Sequence, residues 1–231
     1  MTPEEIVTGT LLDHLAPADR AFLIDRGVRR RLPAGEAVMH EGDPTDHVLI
    51  LLSGWVRVYS TTKDGGVVLF ALRGPGDVIG DLAALQNWTR TANVGSMQEI
   101  RFVQLRAEEF TACLHDRPAI AIAMLRQMAS RLREAESARV NVATLDVARR
   151  VATHLLQLAE VYGRPEGSGV VVRTPLTQQD IADRIGASRR GVARALATLR
   201  ERGVVHTGRQ VFVVTAPDVL RLLADSEPQC T

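Results

Sequence analysis

The sequence predicts an α+β chain with a β-rich N-terminal domain folded as an antiparallel barrel or roll, a long dimerisation helix, and a C-terminal winged helix-turn-helix. Three features carry that prediction. From about Val28 to Leu105 short β-prone segments are punctuated by Gly35, Gly42, Gly54, Gly65, Gly66, Gly74, Gly76 and Gly80, the pattern of many short strands joined by tight turns. Past Arg117, apolar residues recur at helical steps. The block "TQQDIADRIGASRRGVARALATLRERG" then carries the spacing of two short helices crossing at a glycine turn.

The elements follow in chain order. Residues 4 to 26 read as short helices, with Pro17 placed to start one and Gly27 to end it. "HVLILLSGWVRVYST" and "EIRFVQL" are the clearest strands. Pro118 suits a first helical position, and Ala121, Leu125, Met128, Leu132 and Ala135 form a narrow apolar seam. With charged Arg126, Arg133, Glu134 and Arg139 beside it, that seam, interrupted near its end, predicts a coiled-coil dimer contact, the alternative being a helix packed on its own domain. A second helix, "LDVARRVATHLLQLAEVYG", ends at Gly163, and "RPEGSGVVVRTP" is a turn and short strand. The expected domains are 1–117, a helix and hinge over 118–145, and 146–231.

Composition narrows the function classes. Apolar residues are 45% and charged residues 24%, enough for a core without disorder. The most apolar runs are broken well short of the ~18–20 residues a bilayer requires, so no membrane span is expected. The acidic start "MTPEE" is unlike a signal peptide, which makes the cytoplasm the expected location. Cys113 and Cys230 are too far apart and too few for a thiolate cage. Net charge is only +1, but it is unevenly placed. Arg184, Arg189, Arg190, Arg194, Arg200, Arg202 and Arg209 share their stretch with one acid, Glu201, a local excess that suits a phosphate backbone. Arginine is the default cation here, Lys63 being the single lysine, so the clustering is the informative part.

In the C-terminal block Thr177 and Asp180 form a capping-box-like start. Ala182, Gly186 and Val192 supply the small crossing residue, the turn and the apolar contact of a helix-turn-helix, and Ser188 caps the second helix. That helix would project Arg189, Arg190 and Arg194 into a major groove, where arginine donates to guanine O6 and N7. "VVHTGRQVFVV" reads as a wing offering Arg209 to a phosphate, and Thr177, Gln178, Gln179 and Ser188 complete the expected DNA contacts.

In "GDVIGDLAALQNWTRTAN" a short helical turn after Gly80 would aim the amides of Asp81, Leu82 and Ala83 at an anion, with Arg90 as charge-assisted donor. Asp81 would serve a ribose hydroxyl, which has a proton to give.

With these motifs in order, nearly the whole chain resembles the CRP/FNR family of bacterial transcription regulators. The resemblance is carried by "LPAGEAVMHEGDPTDHVLILLSGWVRVY", "GDVIGDLAAL…TRTA", "QMASRL…LDVARRVATHLL" and "TQQDIADRIGASRRGVARAL". It implies a cyclic-nucleotide-binding β-roll, a homodimer, a palindromic duplex DNA site and RNA polymerase as partner. In the family a glutamate takes the ribose and an arginine the cyclic phosphate, followed by serine or threonine, here Thr91. Asp81 is a methylene shorter. Where cyclic-AMP-binding members present threonine and serine to adenine, the match places Ala135 and Glu136. Those residues disfavour cyclic AMP and leave cyclic GMP and cyclic di-GMP as candidates, beside an empty cassette in which Asp81 and Arg90 pair with each other. In the DNA reader Arg190 replaces the family's central glutamate, so the bound sequence should differ. Iron–sulfur sensing lacks its cysteines, and His40 and His47 give haem little support. No catalytic constellation is present, which makes an enzyme or an enzyme's regulatory subunit the weaker alternative.

Overall fold

The computed structural model describes residues 7, 9–44, 46–167, 169–208 and 210–225. Its contacts divide the chain into two compact units, Met1–Glu134 and Ala135–Thr231.

The first unit opens with α1 (Pro17–Asp25), started by its proline as the sequence predicts. Eight strands follow: β1 (Val28–Leu32), β2 (Ala37–Met39), β3 (His47–Ser53), β4 (Val56–Thr61), β5 (Val67–Arg73), β6 (Val78–Ile79), β7 (Asn93–Ser96) and β8 (Ile100–Arg106), with α2 (Asp81–Gln86) between β6 and β7. They form two four-stranded antiparallel sheets, ordered β1-β8-β3-β6 and β2-β7-β4-β5.

Strand β3 shows why its sequence is a continuous apolar run. Leu49 and Leu51 face Met39, Val56, Val94 and Phe102 inside the roll, whereas Val48 and Ile50 face a second core built with Leu11, Leu23, Phe110 and Ile120. Both faces are buried, so alternation with polar residues disappears. Strand β8 splits the same way, Ile100 and Phe102 inward and Val103 and Leu105 toward the helices.

That second core is closed by α3 (Ala107–Asp116) and the start of α4 (Pro118–Thr144). Helix α3 has no counterpart in the sequence reading; Glu109 marks its start by accepting from the Arg106 amide at 2.8 Å. The seam assigned to α4 holds in part, with Leu125, Leu132 and Ala135 exposed. Met128 packs toward the second core together with the buried Ile120, Ala123 and Met124. What remains outside is Ile122, Leu125, Ala129 and Leu132, spaced three, four and three residues apart, with Leu125 66% and Leu132 61% exposed. The outward ridge thus keeps Leu125 and Leu132 of the predicted seam, while its own domain takes Met128.

In the second unit α5 (Val147–Tyr162) starts at Asp146, whose carboxylate accepts from the Arg149 amide at 2.9 Å. It packs with α6 (Gln178–Ile185), α7 (Arg189–Glu201) and α8 (Pro217–Asp225). A sheet ordered β11-β12-β10-β9 joins β9 (Gly163–Glu166), β10 (Gly169–Arg173), β11 (Val205–Gly208) and β12 (Val211–Val214). "RPEGSGVVVR" is thus a β9–β10 hairpin where one strand was expected.

Candidate functional site

The cassette is built at the β6–α2 junction. Gly80 has φ +80°, a left-handed conformation that favours glycine, and a β-carbon there would lie 2.2 Å from Nη1 of Arg90. The chain bends under the arginine because nothing but hydrogen occupies that space. Arg90 is 4% exposed, and its guanidinium donates to the Gly80 carbonyl at 3.2 Å and the His47 carbonyl at 2.8 Å. Burial lowers its pKa, opposed by the nearby charges of Asp46, Asp43 and Asp81. A desolvated cation of this kind is stabilised by any anion brought against it. Helix geometry leaves the first-turn amides of α2 without intrahelical acceptors. Among the side chains expected at the ligand, Leu82 and Thr91 are exposed and Ala83 is buried.

Asp81, 3% exposed, is not paired with Arg90. Nη1 of Arg131 on α4 donates to both its carboxylate oxygens, at 3.1 and 2.9 Å. Nη2 of Arg131 donates to Asp77 Oδ1 at 3.2 Å and to the Val78 carbonyl at 2.6 Å. Gln127, one turn earlier and 1% exposed, donates to the same Asp77 oxygen at 2.8 Å, and Asp77 Oδ2 accepts from the Gly74 amide at 3.0 Å. One turn beyond Arg131, Glu134 pairs with Arg73 at 3.2 Å. Three successive turns of α4 thus fasten the cassette and the end of β5 to the helix. The sequence reading missed Asp77, Gln127 and Arg131. The available signal was two long polar residues, at positions 127 and 131, continuing the inward stripe of Ile120 and Met124. Ala135 and Glu136 follow on α4 and are both exposed.

The second unit presents the other expected surface. Thr177 accepts from the Asp180 amide at 3.2 Å while Asp180 accepts from the Thr177 amide at 2.8 Å, the capping box the sequence predicts. Ala182 and Val192 are fully buried, and Gly186 ends α6 with φ +62°. Ser188 caps α7 by accepting from the Gly191 amide at 3.1 Å. Burying Val192, Ala195, Leu196 and Leu199 turns Arg189, Arg190 and Arg194 outward, and the first turn of α7 holds no acid. Thr177, Gln178, Gln179 and Arg189 line one recess, so four of the expected DNA-contacting residues converge. Arg209 lies outside the described residues. Among the described residues, no group of His, Cys, Asp and Glu is placed to hold a metal ion, and no helix is long and apolar enough to cross a membrane.

Known proteins share both halves. Residues 29–117 match the cyclic nucleotide-binding domain and residues 149–223 the Crp-like helix-turn-helix domain. The CRP-like cAMP-activated global transcriptional regulator of Mycobacterium tuberculosis is 36% identical over 182 residues, covering 78% of this chain and 81% of that protein. The cyclic AMP receptor protein of Thermus thermophilus is 30% identical over 218 residues, 94% of this chain and 97% of the other. In fold, the chain is similar to a CooA variant from Carboxydothermus hydrogenoformans, with a TM-score of 0.80 at 17% identity over 97% of this chain and 100% of that one. The architecture and these matches define a ligand-domain-plus-helix-turn-helix transcription regulator. The chain belongs to the CRP/FNR family, and its function is DNA-binding control of transcription.

Proposed function

We propose that the protein is a cytoplasmic, non-enzymatic homodimer that binds a palindromic promoter site, acts on RNA polymerase, and is controlled by a cyclic nucleotide in the roll. The observation that carries the ligand part is Arg90, buried beneath Gly80 with two of its five donors on main-chain carbonyls. Such a guanidinium, next to the α2 amides, suits a cyclic phosphate. The relatives named as cyclic-AMP-activated support a nucleotide of this class. Ala135 and Glu136 favour guanine over adenine, because a carboxylate accepts from guanine N1 and N2 and alanine bonds to neither base. The exposed ridge of Ile122, Leu125, Ala129 and Leu132 supports dimerisation through α4.

A second reading, regulation without ligand, is favoured by one specific observation. Asp81 is already satisfied by Arg131 and does not need a ribose. Thermal melting of the protein with cyclic AMP, cyclic GMP and cyclic di-GMP separates the two. A nucleotide at a hundred times its Kd should add about 2.7 kcal/mol, read as a clear rise in Tm. If none raises the Tm and specific DNA binding persists, the ligand-independent reading replaces the first.

A further inference from the structure

We propose that the C-terminal unit holds a binding site for a compact oxyanion, a phosphate-sized group, in the recess between the end of α4, α5 and α6. This site is separate from the cassette and from the outward face of α7. The recess is small and open to solvent on one side, and its polar lining is Asn141, Arg150, His154, Gln157 and Arg184. Two guanidiniums, an imidazole and two carboxamides converge there, and no described lining residue is acidic. Arg150, His154 and Gln157 stand at i, i+4 and i+7 of α5, so one helix face supplies most of the donors.

Arg150 sets the chemistry. Its Nη1 donates to the Ile185 carbonyl at 2.7 Å and the Gly186 carbonyl at 3.2 Å, capping the end of α6 and fixing the plane of the guanidinium. Its Nε is buried and has no hydrogen-bond partner. In a guanidinium, the edge bearing Nε and Nη2 makes parallel hydrogen bonds to two oxygens of one carboxylate or phosphate. The edge free of capping duty is therefore the one suited to an oxyanion. A bound anion would hold Arg150 in place beneath the α6–α7 turn at Gly186, and so stiffen the helix-turn-helix from behind.

Titration calorimetry and thermal melting of the full chain with inorganic phosphate, at constant ionic strength in a buffer free of other oxyanions, test the site. We expect saturable binding in the millimolar range and a rise in Tm, with sulfate replacing phosphate. Gln157→Glu, which leaves the Arg150 cap intact but places a carboxylate in the recess, should weaken binding by roughly tenfold or more, the loss of about one charge-assisted contact. Arg150→Met should also abolish it, with circular dichroism confirming the fold. Arg189→Ala should leave phosphate binding unchanged while weakening DNA binding. The proposal is overturned if phosphate produces neither heat nor a Tm shift, if Gln157→Glu binds as well as the unmodified chain, or if Arg189→Ala alone removes binding.

Discussion

Arg131 holds Asp81 with one terminal nitrogen, 2.9 and 3.1 Å from the two carboxylate oxygens, and reaches Asp77 with the other. The acid of the cassette is therefore fastened to α4 before any nucleotide arrives, and a ribose hydroxyl would have to share or displace that arginine. Removing one partner of a buried pair leaves the other charge uncompensated. Arg131→Met strands two carboxylates and should cost about 3–5 kcal/mol, read as a lower urea midpoint with an unchanged slope. Asp81→Asn should cost less, since Asp77 still pairs with the arginine. A variant at position 131 as stable as the unmodified chain would show the network to be energetically idle.

Gly80→Ala joins two penalties. Its β-carbon meets Arg90 at 2.2 Å, and its φ of +80° costs an L-residue about 1–2 kcal/mol. Arg90 must move away from the Gly80 and His47 carbonyls, so nucleotide-induced stabilisation should vanish. The helix-turn-helix unit is untouched, and low-salt DNA binding by the full-length variant, followed by gel shift, should persist. Nucleotide binding at full strength by this variant would rule out the cassette as the ligand site.

Leu132→Glu tests the ridge on α4. Leu132 is 61% exposed, so the change removes little buried surface within its own domain, and the melting of the N-terminal unit should barely move. Two carboxylates brought face to face across a helix pair repel and are desolvated. Sedimentation should then report a monomer, and DNA affinity should fall because two half-sites are no longer read together. A variant that sediments as the unmodified chain would move the dimer contact elsewhere.

Parts of this architecture are legible because they obey local rules. The capping box at Thr177 and Asp180, the left-handed Gly186 and the buried Val192 depend on neighbours a few residues away, and all are found as the sequence spacing predicts. The long-range partners were not legible. Arg131 lies fifty positions from Asp81, and helical periodicity reports which residues share a face without reporting what that face meets. The α4 seam is legible only in part for the same reason: Leu125 and Leu132 stand outward as the period implies, whereas Met128 is taken inward by the second core. Helix α3 was overlooked because ten residues with a mixed pattern give a weak period, although Glu109 marks its start.

Cys113 is fully buried in the second core, and that burial raises its thiol pKa above the usual 9.0. The sign of the pH effect follows: the folded state keeps the proton that the unfolded chain gives up. Stability from this group is complete below pH 9 and is lost as the pH rises through the folded pKa. Thiol titration of the native protein at pH 8 should be slow and should become fast in denaturant. Rapid native reaction would contradict the burial.

Arg190 on α7 gives the sharpest test of DNA reading. It is exposed beside Arg189 and Arg194 on a helix turn free of acids. Arginine donates to guanine O6 and N7, whereas glutamate accepts from cytosine N4, so the substitution Arg190→Glu should exchange the preferred base at one position of each half-site. Selection from a random duplex library should return that single exchange, with about 1–3 kcal/mol of discrimination per half-site, while positions read by Arg189 and Arg194 stay fixed. Arg194→Ala should instead relax specificity at its own position. If Arg190→Glu leaves the selected sequence unchanged and only lowers affinity with a shallower salt dependence, Arg190 contacts phosphate rather than a base edge.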